Sequence, residues 1–261
     1  MSAGELDPVR AFVLANDETG ADRVESWEHG AALLSPTLSA LWDANYLRLD
    51  RAGDRDAAAL AAEAERVLGA GGARHRAVVV PDEAKAEPLR AGFAALGWDC
   101  DRLLFMVLRG TPRHRPGAPA VEEVERAEVG ELQRDMFMAE AEPMGGAEVA
   151  RAVLLREERI MRGSRIRRFG VRAGGRLAAS CAIVERDGIV EVDAVNTLPA
   201  CRGRGLGRAA VVEAIRVARG GHPDVVFLGA YRDDWPHRWY QRLGFEPVGM
   251  LMRFRRVGGA H

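Results

Sequence analysis

The second half of the chain switches between two hydrophobic periods. "AVEEVERA", residues 120–127, alternates apolar and polar positions and predicts a strand. "GELQRDMFMAE" and "AEVARAVLLREERIMR" read as helices. Residues 166–196 predict three strands, with turns at Ala173-Gly174-Gly175 and Arg186-Asp187-Gly188, the second a strong hairpin signal. A glycine-rich loop follows. Next comes a helix over residues 206–219 with Val211, Ile215 and Ala218 on one face, ending at Gly220-Gly221. "DVVFLGAY" is a buried-strand run, "WPHRWYQRLG" a short helix closed by Gly244, and "EPVGMLMRFRR" a last strand.

The first half ends in a similar order. "NYLRLD" predicts a strand, "AAALAAEAERVLGAGG" a helix, "RHRAVVVP" a strand, "AEPLRAGFAALG" a helix and "WDCDRLLFMVLRG" a strand. Laid over the C-terminal segment, Leu96-Gly97-Trp98 falls on Leu243-Gly244-Phe245, a weak internal repeat at a spacing of 147 residues (244 less 97). Between the halves, "TPRHRPGAP" holds three prolines and a glycine and reads as a linker. The expected organisation is therefore two related α/β (α+β) domains, each a mixed central sheet flanked by helices. They would be residues 1–110, a linker at 111–119, and residues 120–261. The first is expected to be shortened, because little sequence precedes "NYLRLD".

Composition narrows the function. Apolar residues make up 48% and charged residues 29% of 261, ordinary for a globular protein, and a net charge of −1 leaves no overall footprint for nucleic acid. No apolar run reaches membrane-spanning length, and the first ten residues lack the order of a signal peptide. Cys100, Cys181 and Cys201 lie far apart, with no metal-ligand spacing. A cytoplasmic protein without structural metal or disulfides is expected.

The glycine loop, "CRGRGLGRAA", carries the candidate chemistry. A dinucleotide loop needs GxGxxG, and Arg208 stands where its third glycine belongs. A Walker A loop needs a Lys followed by Ser or Thr, and neither is present. What remains is Arg202-x-x-Gly205-x-Gly207 between a strand and a helix. Glycines let backbone approach a pyrophosphate, and the next helix's N-terminus points N–H groups at it. Further along, "WYQRLGF" carries Tyr240, Gly244 and Phe245 as Tyr-x3-Gly-Phe.

With these two segments in this order, residues 120–256 resemble the GNAT family of acetyl-CoA-dependent N-acyltransferases. The resemblance implies acetyl-CoA as cofactor and an amine, on a small molecule or a peptide N-terminus, as acceptor. It implies that Arg202, Gly203, Arg204, Gly205, Leu206, Gly207 and Arg208 cradle the pyrophosphate. Backbone at Val195, Asn196 and Thr197 would pair with pantetheine and the acetyl group. Tyr240 matches the family's tyrosine acid, and its phenol (pKa about 10) is near enough to a thiol (about 8.5) to serve the leaving sulfur; the other reading is a core aromatic. A carboxylate on the preceding strand would be the base. Glu191, Asp193 and Val195 alternate onto one face; Asp193, nearer the loop, is favoured over Glu191, and a solvated strand face is the rival reading. Glu140 and Glu142 would line the substrate mouth or form a solvated turn.

The chain departs from the family where an Asn commonly contacts the cofactor about seven residues before the tyrosine: Asp233 stands there. Trp235 and Trp239 read as core or as cover for pantetheine, His237 as surface, and Cys201 as structural. In the first half, the corresponding loop carries Asp50, Asp54 and Asp56, which repel a pyrophosphate, and Phe93 stands at the tyrosine position. That domain is expected to have lost the cofactor. The alternative function is a non-catalytic acyl-CoA-binding regulator.

Overall fold

The computed structural model describes residues 3–39, 41–51, 55–73, 75–139 and 146–257. In chain order the elements are α1 (Ala3–Gly20), β1 (Arg23–Trp27), β2 (Gly30–Leu34), β3 (Tyr46–Leu49), α2 (Ala57–Ala70), β4 (His75–Val80), the short α3 (Glu83–Ala86), α4 (Arg90–Ala95) and β5 (Asp99–Leu108). There follow β6 (Glu122–Glu123), α5 (Arg126–Ala139), α6 (Gly146–Ile160), β7 (Arg165–Ala173), β8 (Arg176–Arg186), β9 (Ile189–Thr197), α7 (Leu206–Gly220), β10 (Val225–Tyr231), α8 (Pro236–Gln241) and β11 (Phe245–Val257). The chain divides into two compact α/β units, each a mixed sheet with helices. One comprises Met1–Phe105, Ala230–Arg238 and Pro247–His261; the other comprises Met106–Gly229 and Trp239–Glu246. Among the described residues no helix is long and apolar enough to cross a membrane.

In the first unit, β1, β2 and β3 form an antiparallel run, β3 pairs in parallel with β4 across the α2 crossover, and β4 pairs antiparallel with β11. The end of the chain thus completes this sheet, with Val80 opposite Met252 and Val78 opposite Phe254. Arg255 reinforces it through Asp101, Nε to Oδ2 at 2.7 Å. Helix α2 buries Ala57, Leu60, Ala64 and Leu68 at helical spacing into a core shared with Val78, Val80, Phe93 and Phe254. Phe93 and Phe254 stack at 4.3 Å with rings 12° apart. Burying a side chain of this size contributes about 2 kcal/mol. The sequence pattern predicts no element ahead of Tyr46. The structure places α1 and the β1–β2 hairpin there. Pro8 lies inside α1, and all of β1 but Trp27 is exposed, so neither element carries the usual periodicity.

In the second unit, β6 to β9 run antiparallel in order, and β9 pairs in parallel with β10 through the α7 crossover. The two expected turns close β7–β8 and β8–β9, with positive φ at Gly174, Gly175, Asp187 and Gly188. Helix α7 is amphipathic and buries Leu206, Ala210, Val211, Ala214, Ile215 and Ala218. Its ends are therefore fixed by packing against this sheet.

Candidate active site

The site is built at the C-terminal ends of β9 and β10. These strands pair only from Ile189–Val225 to Glu191–Phe227. Past that point, no registered pair joins them, although β9 runs on to Thr197 and β10 to Tyr231. On its other side, β9 slips against β8: Asp193 is opposite Ala182, but Asn196 is opposite Ser180. Three steps on β9 span two on β8, so β9 carries an extra residue. That bulge is where Ala194 takes φ +49°, a left-handed conformation uncommon for a residue with a side chain. Asn196 holds the bulge, donating through Nδ2 to the Ala194 carbonyl at 2.9 Å and to buried Ser180 Oγ at 3.3 Å. Glu191 and Asp193 keep the expected common face, opposite Val184 and Ala182, but the expected facing of Val195 is corrected by this bulge, because an inserted residue reverses the facing of what lies beyond it.

After Thr197 the chain makes a short 3-10 turn, with Cys201 N–H donating to the Leu198 carbonyl at 2.8 Å. Arg202 Nε reaches back to the Thr197 carbonyl at 3.3 Å. Gly203 and Gly205 both take positive φ, 76° and 78°, and Gly205 is the N-cap of α7. It has no side chain to cap the helix, so the first-turn N–H groups of α7 are left for another acceptor. A Cβ on Gly207 would lie 2.8 Å from Thr197 Oγ1, so the glycine keeps this helix end tight against β9. Arg204 is exposed, and Arg208 donates to the Arg113 carbonyl at 3.0 Å. Burial, followed by the nearby charge of Arg115, pulls the Arg208 guanidinium down from its ordinary value.

Tyr240 lies on α8, 8% exposed, with its ring edge-on to Phe245 at 6.0 Å. Its hydroxyl makes no hydrogen bond to another described residue, so it is not spent on a backbone carbonyl. Burial pushes its phenol well above the ordinary range, and the electrostatic influence of Cys181 and Asp193 pushes it further. Burial also raises the Cys181 thiol, with Asp193 again contributing. Asp193, Cys181 and Tyr240 therefore share one electrostatic environment. Asp193 is exposed and Glu191 half-buried.

The remaining sequence candidates fall elsewhere. Asp233 belongs to the first unit, where Arg102 holds both carboxylate oxygens, Nε to Oδ2 at 2.9 Å and Nη2 to Oδ1. That pairing holds the Asp233 carboxyl below its usual range. Trp235 is 68% exposed and thus not core, whereas Trp239 is half-buried. Glu140 and Glu142 lie outside the described residues. Sequence reasoning missed the Asn196–Ser180 clasp and the contribution of residues 110–115 to the surroundings of α7.

Residues 129–245 match the acetyltransferase (GNAT) family. Over 97 residues the chain is 38% identical to the N-alpha-acetyltransferase RimI of Mycobacterium tuberculosis, a match that takes in 35% of this chain and 59% of that protein. The fold is similar to a GCN5-related N-acetyltransferase from Kribbella flavida (TM-score 0.67, 20% identity, 99% of this chain and 98% of that one). It is also similar to a conserved protein of unknown function from Staphylococcus epidermidis (0.65, 17%, 91% and 94%). A tandem GNAT protein from the clavulanic acid biosynthesis pathway matches with TM-score 0.52 and 17% identity over 82% of this chain and 75% of that one.

Proposed function

We infer that this chain, which carries a domain of the acetyltransferase (GNAT) family at residues 129–245, transfers an acetyl group from acetyl-CoA to an amine. The observation that carries the reading is the uncapped N-terminus of α7 behind the Gly203–Gly205 turn, next to a parallel strand pair that stops pairing at Glu191–Phe227. Ligands of α/β sheets bind beyond the carboxyl ends of the strands, and anions bind at helix N-termini.

The residues present fit such a cofactor. Gly203 and Gly205 have open space where a Cβ would be, and the α7 N–H groups lack a side-chain acceptor. Arg202, Gly203, Arg204, Gly205, Leu206, Gly207 and Arg208 would hold its pyrophosphate, and backbone at Val195, Asn196 and Thr197 would pair with its pantetheine arm. Acetyl-CoA supplies a thioester carbonyl carbon open to attack by a neutral amine. The bulge at Ala194 interrupts the β8–β9 ladder, and a β9 backbone N–H left out of that ladder would polarise the carbonyl. Asp193, exposed beside the bulge, takes the amine proton directly or through water. Tyr240 keeps its proton through the neutral range, because burial opposes the phenolate. A phenol so shifted serves the departing sulfur as a hydrogen-bond donor more than as a full acid.

The acceptor is an amine of a small molecule or a peptide N-terminus. The curated relative, of which the chain spans 59%, is an N-alpha-acetyltransferase, which supports a peptide α-amine. Thiol release from acetyl-CoA across a panel of amines and short peptides tests the reading, with calorimetric CoA binding alongside. Binding with release for at least one amine is expected. Binding without release for any of them would favour a non-catalytic acyl-CoA-binding protein, and no binding at millimolar CoA would sink both.

A further inference from the structure

Helix α5 buries Val129, Gly130, Leu132 and Gln133, the i, i+1, i+3, i+4 spacing of one helix face. Three of these suit a core. Gln133 does not. It is only 6% exposed, its Oε1 is buried with no partner, and its side chain makes no hydrogen bond to any described residue. A buried carboxamide left unpaired costs stability that an apolar side chain of the same length would not, so packing alone does not call for glutamine here.

The strand register shows which face of the sheet this amide shares. Cross-strand neighbours lie on one face, as do residues two apart on a strand. Arg168, Ala182 and Asp193 are in register across β7, β8 and β9, and Arg168 Nε donates to Glu157 on α6 at 2.8 Å. Asp193 therefore lies on the α6 side. Gly170, Ser180 and Asn196 are in register on the same side, and a Cβ on Gly170 would fall 2.7 Å from Val124 and 2.5 Å from Leu177. Those two side chains cluster with Val129 and Leu132 of α5. Thr197, the next residue of β9, faces the other way and meets Gly207 of α7. The cofactor cradle thus belongs to the α7 side of the sheet, and Asp193 to the α5–α6 side.

Across that second side α5 advances from β7 toward the end of β9. Glu128 pairs with Arg172 on β7, and Leu132 joins a cluster with Leu177 and with Leu198, just past β9. Gln133 stands one turn beyond Val129, which faces the sheet in that cluster, and Gly130, where a Cβ would fall 2.7 Å from Leu154 on α6. It lies at the seam of α5, α6 and the sheet. All of these residues belong to the second unit. A carboxamide sets a donor beside an acceptor, and the group that satisfies both halves at once is another amide. An acceptor whose amine stands next to a peptide group supplies one; a plain alkylamine does not.

We propose that Gln133 recognises the acceptor by pairing with the first peptide group beside the attacking amine, and so selects an α-amino amide over a simple amine. The proposal rests on the acetyl-transfer reading above and deepens it, assigning acceptor recognition to a residue on α5 outside both sequence motifs.

Steady-state kinetics of wild type, Gln133→Met and Gln133→Leu test it, with short peptides bearing a free N-terminus and with their analogues in which an ester oxygen replaces the first peptide N–H. Calorimetric CoA binding and thermal denaturation accompany them. Wild type is expected to use a peptide at least about tenfold more efficiently than its ester analogue, the cost of leaving a buried polar group unpaired. Both variants should lose about tenfold in kcat/KM for the peptide, mainly through KM, and use the two acceptors alike. Their CoA affinity should match wild type and their Tm should not fall. A lower Tm with the wild-type preference intact would overturn the proposal and give Gln133 to the fold. Equal use of peptide and ester by wild type, or acetylation of simple amines but of no peptide, would overturn it and leave the acetyl-transfer reading intact. Failure to bind CoA, or binding without acetylation of any amine, would overturn that reading and this proposal with it.

Discussion

Asn196 reaches back two residues along its own strand and donates to the carbonyl of Ala194 at 2.9 Å. The bond fixes a left-handed residue inside a strand, a conformation that costs a non-glycine residue about 1–2 kcal/mol. Asn196→Ala removes the clasp and leaves both Ala194 O and buried Ser180 Oγ short of a partner. We expect a loss of about 1–2 kcal/mol in stability. On the proposed mechanism turnover should fall further than CoA affinity does, because the bulge would aim backbone at the reacting carbonyl while the phosphates would be held at the glycine loop. Urea denaturation and the separation of kcat from CoA affinity measure the two. An equal fall in both would mean that the clasp supports only cofactor binding.

Among the described residues, no acceptor takes a hydrogen bond from the Tyr240 hydroxyl. Tyr240→Phe therefore removes a donor without orphaning an acceptor, and packing against Phe245 survives the change. Turnover is expected to fall at least about tenfold, with CoA affinity nearly constant. Unchanged turnover would retire Tyr240 from the chemistry.

The same residue gives the fold an alkaline weakness. Below pH about 10 the phenol is protonated in both the folded and the unfolded chain. Above it the unfolded chain sheds the proton, while the folded chain, whose phenol is pushed up by burial, retains it. The unfolded state gains by up to about 1.4 kcal/mol per pH unit, so stability declines as pH rises past 10. Denaturation at pH 8 and pH 11 should show a larger decline for wild type than for Tyr240→Phe. Parallel declines would place the phenol in an ordinary environment.

One CoA is expected per chain. In the first unit the N-terminus of α2 is closed by Asp56, whose carboxylate accepts from the Ala59 N–H at 2.8 Å, where the corresponding end of α7 has only Gly205. A negative side chain already seated there excludes a phosphate. Phe93, at the position that matches Tyr240, is fully buried and stacked on Phe254. Titration calorimetry giving two sites would refute the loss of the first.

The parts of this architecture that the sequence reveals are those in which local chemistry and tertiary packing agree. Gly174-Gly175 and Asp187-Gly188 can only be turns, so β7, β8 and β9 are bounded before any contact is known. The repeat of Leu96-Gly97 in Leu243-Gly244 is matched by positive φ at both glycines, 73° and 91°. The bulge stays hidden because one extra residue barely disturbs the pattern of "IVEVDAV"; the Asn196 side chain that clasps it finds its second partner, Ser180, on the neighbouring strand. Trp235 misleads because an aromatic residue ahead of a helix suggests core, yet its ring faces water. The course of residues 110–115 beside α7 escapes notice because prolines announce an irregular backbone without naming what it lies against.

Gly110 and Gly244 meet backbone to backbone: a Cβ on Gly244 would fall 2.5 Å from Gly110 Cα, and one on Gly110 would fall 2.8 Å from Gly244 Cα. No side chain fits at either position while the other backbone stays in place. The practical consequence concerns where the protein can be cut. A fragment begun at residue 120 keeps the glycine loop and Tyr240, yet it uncovers Gly244 and strips α7 of the Arg113, His114 and Gly110 contacts made by Arg208, Glu213 and Arg219. A piece meant to carry the cofactor site needs to start upstream of Arg109.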